Sequence, residues 1–253
     1  MPRQGRYNWD PDIRVFAVPP VHGSLAKYVE HPADFCVKLP DALTYEQGAM
    51  PSPIPGCPVH ACKRAGVAPG KRVAVLGPGP IGLMVLAAAK AFSASSVAIT
   101  DIRPGNLPLA LQLGAAHALD QSRAKSTAET VESFRAVFPK GPDIVIDCEG
   151  LSSTLTTAME AVAPGGTVVQ VGLGEDRCCI PAMQAVLQQV HFTGSWRYVN
   201  IFPLCLSLLA EGKIQTEPLI THRFGFSQPD SLKGFETAAA AAKTGAIKVM
   251  FSW

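Results

Sequence analysis

No Cys-x-x-Cys pair occurs in this chain, although it carries seven cysteines, at positions 36, 57, 62, 148, 178, 179 and 205. That absence removes a zinc ribbon and a thioredoxin-like redox motif, and leaves buried thiols in a reducing compartment as the default reading. Cys57, His60 and Cys62 stand close together, but so short a helical stretch cannot aim all three at one ion, and no fourth ligand accompanies them. Long apolar runs are missing too. None approaches the roughly 18 residues of a membrane span, and the opening MPRQGRYNWD has no apolar secretion-signal core. Charge is scarce and balanced, at 17% of residues with a net +2, which gives no footing for nucleic acid or an anionic membrane. No internal repeat is present. A soluble, cytoplasmic protein is expected.

What is abundant is core material: 47% of the 253 residues are hydrophobic, enough for one large domain or two small ones. Residues 1–55 read as short strands and turns, with RVFAVPP, GSLAKYVEHP and DFCVKLP as brief apolar runs between Pro, Gly and Asp. Pro51, Pro53, Pro55 and Pro58 then crowd eight positions before a helix, which reads as a stiff connector inside which no helix should begin. From about residue 70 the pattern changes. KRVAVLG is apolar at nearly every position, as a parallel strand covered on both faces must be. PIGLMVLAAAKAF, LPLALQLGA, AETVESFRAVF, SSTLTTAMEAVA and FPLCLSLLAEG read as helices, alternating with the strands SVAITD, AHALD, PDIVIDCEG, TVVQVGLG and HFTGSW. Such alternation predicts right-handed crossovers and an α/β doubly wound parallel sheet. The last stretch reads as strand, helix and closing strand, with the alanines 238–242 as helix body.

The sharpest motif is VAVLGPGPIGLMVL, where Gly77, Gly79 and Gly82 make G-x-G-x-x-G between a strand and a helix. The first glycine permits the tight turn, the second lets backbone approach a pyrophosphate, and the third allows close helix–sheet packing, with the helix N-terminus facing the phosphates. Asp101 follows 19 positions beyond Gly82, at the end of the second strand, where a carboxylate can accept both hydroxyls of an adenosine ribose. It would repel a 2′-phosphate, so NAD is expected over NADP, with Arg103 as the residue that could reverse the preference. Val171, Gly172 and Leu173 end a strand on the same sheet edge, where they either meet a nicotinamide or simply terminate the strand.

GRYN, VPPVHGSLAKYVEHPADFCVKLPD, VLGPGPIGL, AITDI, WRYVN, PLITHRF and GAIKVM, in order and in register, resemble the zinc-type medium-chain polyol dehydrogenases, which act on sorbitol, xylitol and L-arabinitol. YVEHPA, AITDI and TGAIKVM look most like the L-arabinitol branch. The resemblance implies a Rossmann domain over residues 61–214, flanked by parts of a GroES-like β-barrel catalytic domain at 1–60 and 215–253. It implies that Gly77, Gly79, Pro80, Ile81, Gly82 and Asp101 hold the cofactor, and that Val171, Gly172, Leu173, Ser195, Trp196 and Arg197 line the nicotinamide. Arg197 and Tyr198 would face the polyol or carbonyl substrate, although Arg197 read alone is a surface charge sooner than a substrate contact. A homo-oligomer built through the dinucleotide domain is implied as well.

The departures concern the metal. The resemblance places the family's Cys and His-Glu zinc ligands before residue 1, so the chain reads as an N-terminally shortened relative. A further family glutamate falls at Ser52, and a cysteine after Tyr-Asn falls at Asp10. Zinc is thus a family cofactor whose ligands are missing, and no metal-binding residue is assigned. Cys-Thr-Gly in the family is Cys148, Glu149 and Gly150 here, and Glu149 is expected to point to solvent. The expectation is an NAD-dependent polyol dehydrogenase-like oxidoreductase without a functional catalytic zinc. The alternatives are a non-catalytic nucleotide-binding remnant or interaction partner, and a zinc-free reductase of another carbonyl or alkene.

Overall fold

The computed structural model describes residues 5–50 and 55–252. Ser52, Pro51 and Pro53 lie outside the described residues. The first elements among the described residues are two 3-10 turns, Tyr7–Trp9 and Ala33–Phe35, then α1 (Tyr45–Ala49) and α2 (Gly56–Ala65). The dinucleotide-type alternation follows as β1 (Arg72–Leu76), α3 (Pro80–Ala91), β2 (Ser96–Asp101), α4 (Leu107–Gln112), β3 (His117–Asp120) and α5 (Thr127–Val137). It continues through β4 (Ile144–Asp147), α6 (Ser152–Ala161), β5 (Thr167–Gln170), α7 (Ala182–Leu187), β6 (His191–Gly194) and α8 (Phe202–Ala210). The chain closes with β7 (Ile220–Gly225), α9 (Gln228–Ala239), α10 (Ala241–Thr244) and β8 (Lys248–Ser252).

Six strands form one parallel sheet in the order β3-β2-β1-β4-β5-β6, so the order reverses between β1 and β4. That is the expected doubly wound sheet, and the crevice at such a reversal is where ligands of this architecture bind. Its central strands are buried on both faces, which is why their residues are apolar without alternation. On one face Val73, Val75, Ile99 and Ile146 pack with Leu83, Met84 and Leu86 of α3. On the other, Ala74, Val145 and Val168 pack with Phe134 of α5 and Leu155 and Met159 of α6. No helix among the described residues is long and apolar enough to cross a membrane.

The runs RVFAVPP, GSLAKYVEHP and DFCVKLP do not form strands: none has a strand neighbour among the described residues, and a strand without a partner leaves its backbone groups to water. The proline segment does carry a helix start. Pro55 caps α2 and Pro58 lies in its first turn, where the amide hydrogen a proline lacks would have no helical partner anyway. The alanine run is not one helix body either, since α9 ends at Ala239 and α10 begins at Ala241. β7 and β8 pair as a separate two-stranded parallel sheet under α9. The first part of the chain reaches this sheet directly, because Arg223 of β7 grips Glu46 of α1 through two bonds of 2.6 and 3.0 Å.

Candidate functional site

The site begins where β1 runs out. Gly77 takes a left-handed φ of 88°, which turns the chain sharply and which a side chain would strain. Its N–H donates to Thr100 O, and Asn106 Nδ2 donates to Pro78 O, so the turn is pinned from the β2 side. Gly82 has no room for a Cβ, which would stand 1.8 Å from Gly77 O. Gly79 is the opposite case: a Cβ there would meet nothing within 4 Å, so the space above its backbone is open. Gly79 also precedes Pro80, the first residue of α3, and no side chain caps that helix end. An uncapped helix N-terminus beside open backbone suits an anion such as a pyrophosphate. Ile81 is half-buried against the core of this turn.

β2 delivers the acid. Asp101 is its last residue and is buried, with Oδ1 accepting the backbone N–H of Arg103 at 3.0 Å. The arrangement holds the carboxylate at the carboxyl end of the sheet, beside the glycine turn. Arg103 itself is exposed.

β4 supplies the far wall. Asp147 is fully buried, and its Oδ1 accepts N–H bonds from Glu149 and Gly150 while its Oδ2 accepts from Thr154 Oγ1. Burial pushes the Asp147 carboxyl above its ordinary range, against these three bonds. They shape the turn 147–150 so that Gly150, at φ 75°, packs on Gly172. Glu149 does not point to solvent. Its side chain lies over the face of Gly77, with Oε1 2.6 Å from where a Gly77 Cβ would be, and it is half-buried. Gly77 lacks the side chain that would have kept it away. Burial, then Asp101, raises the Glu149 carboxyl above its usual range, Arg103 opposes them and Asp147 adds to the rise.

A cleft of about 580 Å³ opens beyond the ends of β5 and β6. Val171, Gly172, Leu173, Ser195 and Trp196, five of the six residues the resemblance placed around a nicotinamide, line it, and Arg197 does not. Asn8 and His60 line it too, and sequence reasoning gave neither a place here. Asn8 Nδ2 donates to Trp196 O at 3.2 Å, which docks the first part of the chain on the 195–200 loop. Asn200 strengthens the dock through its N–H to Tyr7 Oη and its Nδ2 to Gly5 O. Asn8 Oδ1 and Ser195 Oγ are buried and have no hydrogen-bond partner among the described residues, a cost that a polar ligand in the cleft would relieve. Arg64 joins α2 to β6 by donating to Gly194 O and Thr193 Oγ1. Burial, then Arg64 and Lys63, lowers the pKa of His60.

Arg197 and Tyr198 do not line this cleft. Arg197 sits at a left-handed φ of 51°, with its guanidinium 5.0 Å from the Trp196 ring centre and a buried Nε that has no partner among the described residues. Tyr198 packs against Phe202 in the main core, their rings 4.9 Å apart. The cysteines behave as buried or surface thiols, and all seven are free. Burial pushes Cys57 up to about 11, and burial raises Cys62 and Cys148 as well.

The two halves of the site differ in what they fit. The glycine turn, the open backbone at Gly79 and Asp101 fit a dinucleotide. The zinc expected of the family finds no counterpart: among the described residues no three His, Cys, Asp or Glu side chains come together to hold a metal ion. Ser52, the family glutamate position, lies outside the described residues.

Residues 80–211 match the zinc-binding dehydrogenase family. The chain is 44% identical to a sorbitol dehydrogenase of Arabidopsis thaliana over 251 residues, covering 99% of this chain and 68% of that protein. It is 41% identical to an L-idonate 5-dehydrogenase of Vitis vinifera, with the same coverage of both. A Sinorhizobium meliloti 1021 protein solved bound to NADP superposes with a TM-score of 0.88 at 25% identity, covering 99% of this chain and 72% of that one.

Proposed function

Because the chain belongs to the zinc-binding dehydrogenase family and is a polyol dehydrogenase-like oxidoreductase within it, we propose that it moves hydride between a secondary alcohol or its ketone and NAD. The observation that carries this reading is Asp101, held at the end of β2 beside the Gly77–Gly82 turn. A carboxylate there binds two ribose hydroxyls and repels a 2′-phosphate, which favours NAD over NADP. Gly77, Gly79, Pro80, Ile81 and Gly82 cradle the pyrophosphate at the α3 N-terminus.

In this reading a nicotinamide would occupy the cleft walled by Val171, Gly172, Leu173, Ser195 and Trp196. A nicotinamide held there would supply the acceptor or donor of the hydride. The chain's own residues would position it: Ser195 Oγ and Asn8 Oδ1, both without partners among the described residues, can take up a carboxamide that donates and accepts at once. Arg197 and Tyr198 take no part in this proposal, because neither lines the cleft. Holding two reactants in near-attack geometry is the contribution these walls make to rate.

The same proposal divides the chain into a dinucleotide domain at 61–214 and catalytic-domain parts at 1–60 and 215–253. The Glu46–Arg223 grip and the Gln47–Glu217 hydrogen bond support it by joining the two outer parts. The exposed edge at β6 and α7, with Met183, Val186, Leu187 and Phe192, supports a homo-oligomer. Seven free thiols support a cytoplasmic setting.

Titration of intrinsic fluorescence with NADH and NADPH, followed by turnover with NAD on sorbitol, xylitol, L-arabinitol and L-idonate, tests the proposal. Saturable NADH binding, weaker NADPH binding and turnover on one of these polyols support it. Binding of neither nucleotide overturns it. NADH binding without turnover on any of the four leaves a nucleotide-binding protein and overturns the hydride-transfer half.

A further inference from the structure

Glu149 lies where a dinucleotide has to pass. A cofactor whose ribose meets Asp101 and whose pyrophosphate meets the α3 N-terminus must cross Gly77, the residue between them. Glu149 covers that residue. Its Oε1 and Cγ stand 2.6 and 2.7 Å from the place of a Gly77 Cβ, closer than any side chain at 77 would permit. The position is fixed from behind, since the Glu149 backbone N–H donates to the buried Asp147 at 3.0 Å and the Glu149 carbonyl packs on Gly172 and Gly174.

We propose that Glu149 is a specificity-determining residue of the dinucleotide crevice, tolerating the cofactor's phosphates only as a neutral carboxyl, so that NADH binds with uptake of a proton from solvent. This inference rests on the dinucleotide reading above.

The charges facing Glu149 come from three elements. Asp101 faces it from the end of β2, Arg103 from the loop after it, and Asp147 and the Cys148 thiol from β4 and its turn. Asp101 and Asp147 both resist its ionisation and only Arg103 favours it, in agreement with a carboxyl raised above its ordinary range. A pyrophosphate laid across Gly77 adds negative charge on the same side and raises it further. The protonated form donates a hydrogen bond to a phosphate oxygen, whereas the ionised form repels it. By linkage, NADH affinity then falls as pH rises through the Glu149 range of the free protein.

The test measures NADH dissociation constants from pH 5.5 to 8.5 for the full chain and for Glu149→Gln and Glu149→Thr, with thermal melts to verify folding. Calorimetry in two buffers of different ionisation enthalpy counts protons taken up on binding. For the unaltered chain the dissociation constant is expected to rise with pH, by up to about tenfold per pH unit. Both variants should bind more tightly at pH 8 and lose most of that slope and of the proton uptake. Variants that bind NADH with the unaltered slope and affinity overturn the role of Glu149 and leave the dinucleotide reading intact. Variants that bind more weakly at every pH overturn it also, because the carboxylate would then be a ribose acceptor. Absence of NADH binding by all three proteins overturns both.

Discussion

Gly82 passes so close to Gly77 that a Cβ on it would stand 1.8 Å from the Gly77 carbonyl oxygen. The start of α3 is thereby pressed onto the end of β1, and the helix N-terminus is aimed into the crevice between β1 and β4. Gly82→Ala must push helix from strand and is expected to cost about 3 kcal/mol in urea denaturation, with loss of NADH binding. Gly79→Ala separates the two roles of the motif. Its φ of −68° suits alanine and no atom stands in the way, so stability should fall by less than about 1 kcal/mol. NADH affinity should nevertheless drop about tenfold, because a methyl group then fills the approach to the backbone. A Gly79→Ala protein that binds NADH normally would remove the phosphate from this turn.

Asp101 carries the cofactor preference. Replacing it with Ser removes a charged acceptor worth about 1.5–3 kcal/mol, so NADH should bind roughly tenfold to a hundredfold more weakly. NADPH should weaken far less or improve, since the repulsion of a 2′-phosphate disappears while Arg103 remains two residues away. The ratio of the two dissociation constants, measured by fluorescence titration, is the readout. An unchanged ratio would mean that Asp101 does not meet the ribose.

Asn8 reaches the site from the opposite end of the chain, 188 residues from the Trp196 carbonyl it binds. If its free Oδ1 meets the carboxamide, Asn8→Ala should weaken NADH by about fivefold to tenfold, the worth of a single neutral hydrogen bond. ADP-ribose, which lacks the nicotinamide, should bind Asn8→Ala and the unaltered chain equally. Equal losses for both ligands would place the effect in the docking of residues 5–9 rather than in the cleft.

What the sequence made legible, and what it did not, follows from the range of the contacts. The β1–α3–β2 unit is written locally: Val73 to Leu76 are buried on both faces, Gly77 breaks the run, and Asp101 ends the next strand. Asn8 in the cleft could not be read, because its partners are far away in sequence; GRYN signalled only a resemblance. The orientation of Glu149 was missed because it depends on an atom Gly77 lacks. The helix α7 was missed because three of its six residues, Met183, Val186 and Leu187, are exposed apolar residues, a pattern that signals no core-facing stripe.

Those exposed residues make a prediction about assembly. Light scattering should find the chain larger than a monomer, and Leu187→Asp should shift it toward monomer. Leu187 is 76% exposed, so its replacement should change stability by no more than about 0.5 kcal/mol in the isolated chain. A monomeric unaltered chain at micromolar concentration would remove the edge contact.

Arg72 and Asp143 clamp the amino ends of β1 and β4, the two strands that flank the crevice. Asp143 Oδ2 accepts the Arg72 backbone N–H at 2.8 Å and Nε at 3.0 Å, while Oδ1 accepts from the guanidinium at 2.9 Å. The Arg72 hydrogen bond holds the Asp143 carboxyl below its ordinary range, despite partial burial. The folded-state pKa is thus depressed. The clamp's stability is present above the unfolded carboxylate range, near 4, and is lost as pH falls through the lower folded value. Asp143→Asn keeps an acceptor but not the charge, and should cost about 1–2 kcal/mol at pH 7. In urea denaturation series the gap between Asp143→Asn and the unaltered chain should hold from pH 7 to 5 and narrow steadily below pH 4. A gap that stays constant to pH 3 would show that the amide's shape, and not the lost charge, sets the cost.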